Sequence, residues 1–116
     1  MEPLSRKLKE IGVDTGHVID RLGGNEMIYL SICRKFLSDT NHTMLQEALR
    51  DGQFSKAHEH IHTLKGVAAN LGFVHIYSLC HQLLSHLEQN EAYLIEMDTE
   101  KLAREYHKII AVLKEE

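Results

Sequence analysis

The stretch Ser55 to Gly72, SKAHEHIHTLKGVAANLG, places Ala57, Ile61, Leu64, Ala68 and Leu71 at steps of four, three, four and three. That spacing puts all five on one stripe of an α-helix, a single core-facing seam. Gly72 stands where a left-handed residue ends such a helix, so the helix is expected from about Ser55 to Leu71. Downstream, Ile76, Cys80, Leu83 and Leu87 repeat the device over about Val74 to Gln89. Leu102, Tyr106, Ile109 and Leu113 do so again, in a helix expected to start at a cap on Asp98 or Thr99, with Asn90 to Met97 as a loop or early turn.

Upstream, Asn25 to Asp51 holds no glycine or proline, and Asn25 is a good N-cap after the Gly23-Gly24 turn. This segment reads as one long helix whose apolar face is Ile28, Ile32, Phe36, Leu45, Ala48 and Leu49. Leu4 to Ile11 and Thr15 to Leu22 read as shorter helical pieces covering one end. No stretch alternates as a half-buried strand does. Four amphipathic helices on short connections pack most simply as an antiparallel up-down bundle. The expectation is therefore an all-α fold: a four-helix bundle over residues 25–116 with short additional N-terminal helical segments over 1–24, one domain across 1–116.

Composition narrows the function. The chain has 116 residues, 13 Lys+Arg against 17 Asp+Glu, and a formal net charge of −4, which disfavours nonspecific nucleic-acid binding. No apolar run reaches the roughly 20 residues of a membrane span, and Met1 to Glu10 is charged where a signal peptide would be apolar. Cys33 and Cys80 form no CxxC pattern and read as core thiols of a reducing compartment, so the expected location is cytoplasmic. The unusual figure is nine histidines, whose imidazoles serve as metal ligands, proton carriers, nucleophiles or plain surface residues.

A helical wheel sorts them around the central seam. His62 points outward at roughly 140° from the seam centre, with His58, Lys65, Gly66 and Ala69 on the same exposed face. A mid-helix glycine costs about 1 kcal/mol relative to alanine, so Gly66 is an odd choice for a solvent face. Its missing side chain, one turn beyond His62, clears the imidazole for close approach by another macromolecule. Lys65 is placed to neutralise an anion carried on the ring.

His62-Thr63-Leu64-Lys65-Gly66 followed by Ala68-Ala69-Asn70-Leu71-Gly72 resembles the signature of the histidine-containing phosphotransfer (HPt) family. The likeness extends to Asp14 through Leu22, to the Leu22-Gly23-Gly24-Asn25 turn, to Phe36 and Leu37, and to Ala48-Leu49 ahead of Gly52. It implies a phosphorelay intermediate of two-component signalling: His62 accepts a phosphoryl group from a receiver-domain aspartyl phosphate and passes it to another receiver. Lys65 and Gly66 inherit supporting roles, and His58 and Ala69 share the partner-facing surface. The implied partners are response-regulator receiver domains and an upstream hybrid sensor kinase, met as a monomer, with no nucleic acid and no membrane. Two positions depart from the pattern: Ile61 stands where alanine is common, and His58 lies outside the signature.

No GxxxxGKS/T loop is present, so the chain is expected to be a phosphocarrier without kinase activity of its own. No cofactor of its own is expected either; the divalent metal, magnesium, belongs to the receiver. The rival reading is a metal-binding helical bundle, prompted by His58 and His62 at i, i+4 and by Glu59-x-x-His62, half of a di-iron motif. It lacks the second half, because neither Glu88 nor Glu105 is followed by histidine at the third place, and the wheel turns Glu59 and His62 away from the core. A non-catalytic scaffold for a receiver is disfavoured by the joint presence of His62, Lys65 and Gly66.

Overall fold

The computed structural model describes residues 3–115. Seven α-helices follow in order: α1 (Leu4–Glu10), α2 (Thr15–Arg21), α3 (Glu26–Lys35), α4 (Asn41–Arg50), α5 (Phe54–Leu71), α6 (Val74–Glu88) and α7 (Ala92–Lys114), with a 3-10 turn over Phe36–Ser38 after α3. No strand occurs among the described residues. Helices α4 to α7 pack each on the next through short loops, which makes neighbours antiparallel, and α7 returns to touch α4. At ~1.5 Å per residue the 23-residue α7 spans most of the 43 Å long axis.

The seams of α5 and α6 fill the core as their spacing predicts. Ala57, Ile61, Leu64, Ala68 and Leu71 are all buried, as are Ile76, Cys80, Leu83 and Leu87. On α7, Leu102, Ile109 and Leu113 are buried and Tyr106 packs partly against them.

Three sequence expectations are corrected. Asn25 to Asp51 is not one helix: it breaks between the 3-10 turn and α4, where Asp39 is extended at φ −74°, ψ 128°. There the Asp39 carboxylate accepts the Asn41 amide at 2.8 Å, a side-chain partner that competes with continuation of the helix. The seam of α3 is also rotated. Tyr29, Cys33 and Phe36 are buried, whereas Ile28 and Ile32 are 47% and 36% exposed, because the Tyr29 hydroxyl reaches inward to donate to Leu71 O at 2.9 Å. Finally, α7 starts at Ala92, because Asn90 at φ 60° turns the chain within a residue or two of α6. Asp98 is then a buried mid-helix carboxylate 2.5 Å from His86 Nδ1, and the Thr99 hydroxyl donates back to Ile95 O. Neither residue is a cap.

The N-terminal helices close one end of the bundle. Ser5 of α1 donates to Glu26 of α3, and Lys7 pairs with Glu115 at the end of α7 at 3.1 Å. Helices α2 and α3 both lie against α5. There Gly72, at φ +80°, ends α5, and both its amide and that of Phe73 return to Ala68 O. Three more carbonyls past that point are taken by the cover: the Arg21 guanidinium donates to Asn70 O at 3.1 Å, Tyr29 Oη to Leu71 O, and the Asp14 amide to Gly72 O at 2.8 Å.

One buried imidazole sits in the wall between α4 and α7. His42 is 2% exposed, stacks on Tyr106 with ring centroids 4.1 Å apart, and leaves Nε2 without a partner. Burial, helped by the neighbouring His107, lowers its pKa from 6.5 to about 4. The folded state therefore holds His42 neutral while the unfolded chain protonates it, so stability falls as pH drops from about 6.5 to about 4 and levels off below. Denaturant unfolding monitored by circular dichroism should show the wild type losing about 3 kcal/mol more than His42→Leu over that window.

Candidate functional site

Helix α5 owes its straight run to its composition: from Phe54 to Leu71 it contains no proline and one glycine, Gly66. With its seam buried, its opposite face lies open, and His58, His62, Gly66 and Ala69 are all exposed there while Lys65 is half-buried. The five residues singled out on the wheel thus share one surface. Among the described residues no hydrogen bond engages the His62 ring, and His62 lines none of the larger cavities. The imidazole projects from the exposed face of α5.

Its neighbours are less free. His58 Nε2 lies 3.3 Å from a carboxylate oxygen of Glu88 on α6. The Lys65 ammonium donates to His81 Nδ1 at 3.1 Å and rests over the Tyr77 ring, 5.3 Å from its centroid. Both residues are on α6. Tyr77, His81 and Glu88 form a stripe at steps of four and seven beside the buried Ile76, Cys80, Leu83 and Leu87 seam. Sequence reading used the apolar seam and passed over that stripe, which is the signal by which it was discoverable.

Gly66 has no packing reason to be glycine. A Cβ built on it meets nothing within 4 Å, so neither a helix neighbour nor a turn demands it. Gly72 is the contrast: its φ is +80° and a Cβ there would lie 2.6 Å from Asp14 O. The space above Gly66 is open.

Several other histidines have partners of their own. His60 Nδ1 is 3.1 Å from Asn41 Oδ1, His86 pairs with Asp98, and His42 stacks on Tyr106. Among the described residues no three His, Cys, Asp or Glu side chains converge on a metal-sized site. No helix there is long and apolar enough to cross a membrane.

The fold is an all-helical bundle that presents His62 on the exposed face at the middle of α5. The family model of the Hpt domain matches residues 34–115, and the chain belongs to that family. Neither the curated proteins nor the solved structures compared with it gave a match. Members of the family are phosphocarriers rather than catalysts, and they serve phosphotransfer in two-component phosphorelays through receiver domains and histidine kinases.

Glycine's helix cost and the open space around Gly66 together set a stability contrast. Gly66→Ala should raise stability by about 0.5–1 kcal/mol. Gly72→Ala should lower it by more than about 1 kcal/mol, through its left-handed backbone and the collision with Asp14 O. Thermal melts of the two variants beside the wild type check both signs.

Proposed function

We propose that His62 is the phosphoacceptor, taking a phosphoryl group from a receiver-domain aspartyl phosphate and delivering it to a second receiver. The observation that carries this reading is the open space above Gly66 one turn from an unengaged, exposed His62. In the forward step an unprotonated ring nitrogen of His62 attacks phosphorus. The N–P bond forms as the P–O bond to the aspartyl carboxylate breaks, the carboxylate leaves with its electron pair, and the other ring nitrogen releases its proton to water. Phosphoryl transfer of this kind needs in-line placement and charge neutralisation, and the receiver's divalent metal supplies most of the latter. The carrier contributes Lys65 and an unobstructed approach, and has no cofactor of its own.

The docking surface is the exposed face of α5 around His62, including His58, Gly66 and Ala69. It continues past Ala69 toward α3, where Ile32 lines shallow grooves with Val67, Asn70 and Leu71 of α5. Ile28 and Met27, 47% and 82% exposed, extend that apolar border, the composition expected where a protein partner seats. In this reading the chain works in the cytoplasm as a monomer. An upstream sensor kinase reaches it through its receiver domain.

Two outcomes test the assignment. His62→Gln should fold as the wild type and accept no phosphate from a phosphorylated receiver, whereas His58→Gln should remain an acceptor. Mass spectrometry should map the acid-labile, alkali-stable label to His62; label retained in His62→Gln would overturn the assignment. Gly66→Gln should be at least as stable as the wild type yet transfer at least tenfold more slowly, because its side chain fills the approach to the ring. Rapid-quench transfer assays against one receiver read this directly.

A further inference from the structure

Lys65 is held in place by two neutral groups of the next helix, and that hold bears on the reading just proposed. Its ammonium donates to His81 Nδ1 at 3.1 Å and lies over the Tyr77 ring, 5.3 Å from the centroid. Both contacts come from α6, one turn apart on the same stripe, so they act together. A lysine on an open helix face ordinarily samples many rotamers. Here it is half-buried and drawn across the α5–α6 groove.

We propose that Tyr77 and His81 are positioning residues that form a resting cradle for Lys65, competing with the phosphoryl group on His62 for its ammonium. The chemistry of the cradle favours release. An imidazole lone pair and a phenol face attract a cation, but less strongly than a phosphoryl dianion does. A carboxylate in place of His81 would retain the lysine against phosphate. With neutral partners, the arrival of the phosphoryl group withdraws Lys65, and the cost of leaving the cradle weakens the grip on phospho-His62. The carrier thereby holds its cargo loosely enough to pass it on. The other polar contact across this groove, His58 Nε2 with Glu88 at 3.3 Å, satisfies itself and leaves Lys65 to the cradle.

The test loads the full chain with phosphoramidate, a small phosphodonor that needs no partner, and follows phospho-His62 by 31P NMR titration, with His62→Gln identifying its resonance. In His81→Leu or Tyr77→Leu, Lys65 pairs with the phosphoryl dianion without giving up a cradle contact, so the proton affinity of the phosphoryl group should fall roughly threefold. His81→Gln, which keeps an acceptor, should behave as the wild type. In a Lys65→Met background the His81→Leu effect should vanish. An unchanged or increased proton affinity, or a change that persists without Lys65, overturns the cradle. Failure of phosphoramidate to load His62 at all overturns the phosphoacceptor reading and the cradle with it, whereas a loaded His62 with an unmoved titration overturns the cradle alone.

Discussion

The last turn of α5 is tied down by hydrogen bonds from outside the helix, and the placement of everything on that helix depends on them. A helix ends with carbonyls that have no partner within it, and burying them unmet costs about 1–3 kcal/mol each. Arg21, Tyr29 and the Asp14 amide satisfy Asn70 O, Leu71 O and Gly72 O. These donors belong to α2, α3 and the turn before α2, so the N-terminal segments are structural parts of the site-bearing helix. Gly72 makes the arrangement possible, since any side chain there would occupy the position of Asp14 O. With its C-terminal end fixed and its seam buried, α5 can present His62 at its middle without further support.

What was legible in the sequence follows from how local each determinant is. The seams of α5 and α6 are periodic within one helix, and each of their predicted core residues is buried. The break at Asp39 was hidden because no glycine or proline marks it; it comes with the Asp39 carboxylate taking the Asn41 amide. The face of α3 was misread because Tyr29 is drawn inward by a carbonyl 42 residues away, a preference no local period encodes. Asp98 resembled a cap in sequence, yet its partner is His86 on another helix. On the site face, the wheel brought His58, His62, Lys65, Gly66 and Ala69 to one side. The α6 residues that engage two of them are contacts across a groove, visible only once the two helices are packed.

The nine histidines illustrate how one residue type divides its labour by environment. His42 is sealed in a wall and kept neutral, and His86 is locked to a buried carboxylate. His60 and His58 each rest against a single polar neighbour, and His81 accepts from a lysine. Among the described residues the His62 ring makes no hydrogen bond, as is true also of His17, His75 and His107; its place is what differs, mid-way along α5 with Lys65 and the open Gly66 one turn on. The chemical distinction among identical side chains is therefore made by what surrounds them, and a count of histidines says little about any of them.

On the proposed reading, a reactive ring carried on an open helix face has few walls with which to sort its visitors. Whatever encloses it must bring the concavity, and only one such enclosure fits around a single helix face at a time. Proteins that use this ridge are then mutually exclusive occupants, and the traffic between them is set by their abundance and residence time. On that reading selectivity lies outward, at the apolar border on α3, where substitutions re-rank visitors while leaving the chemistry at the ring untouched.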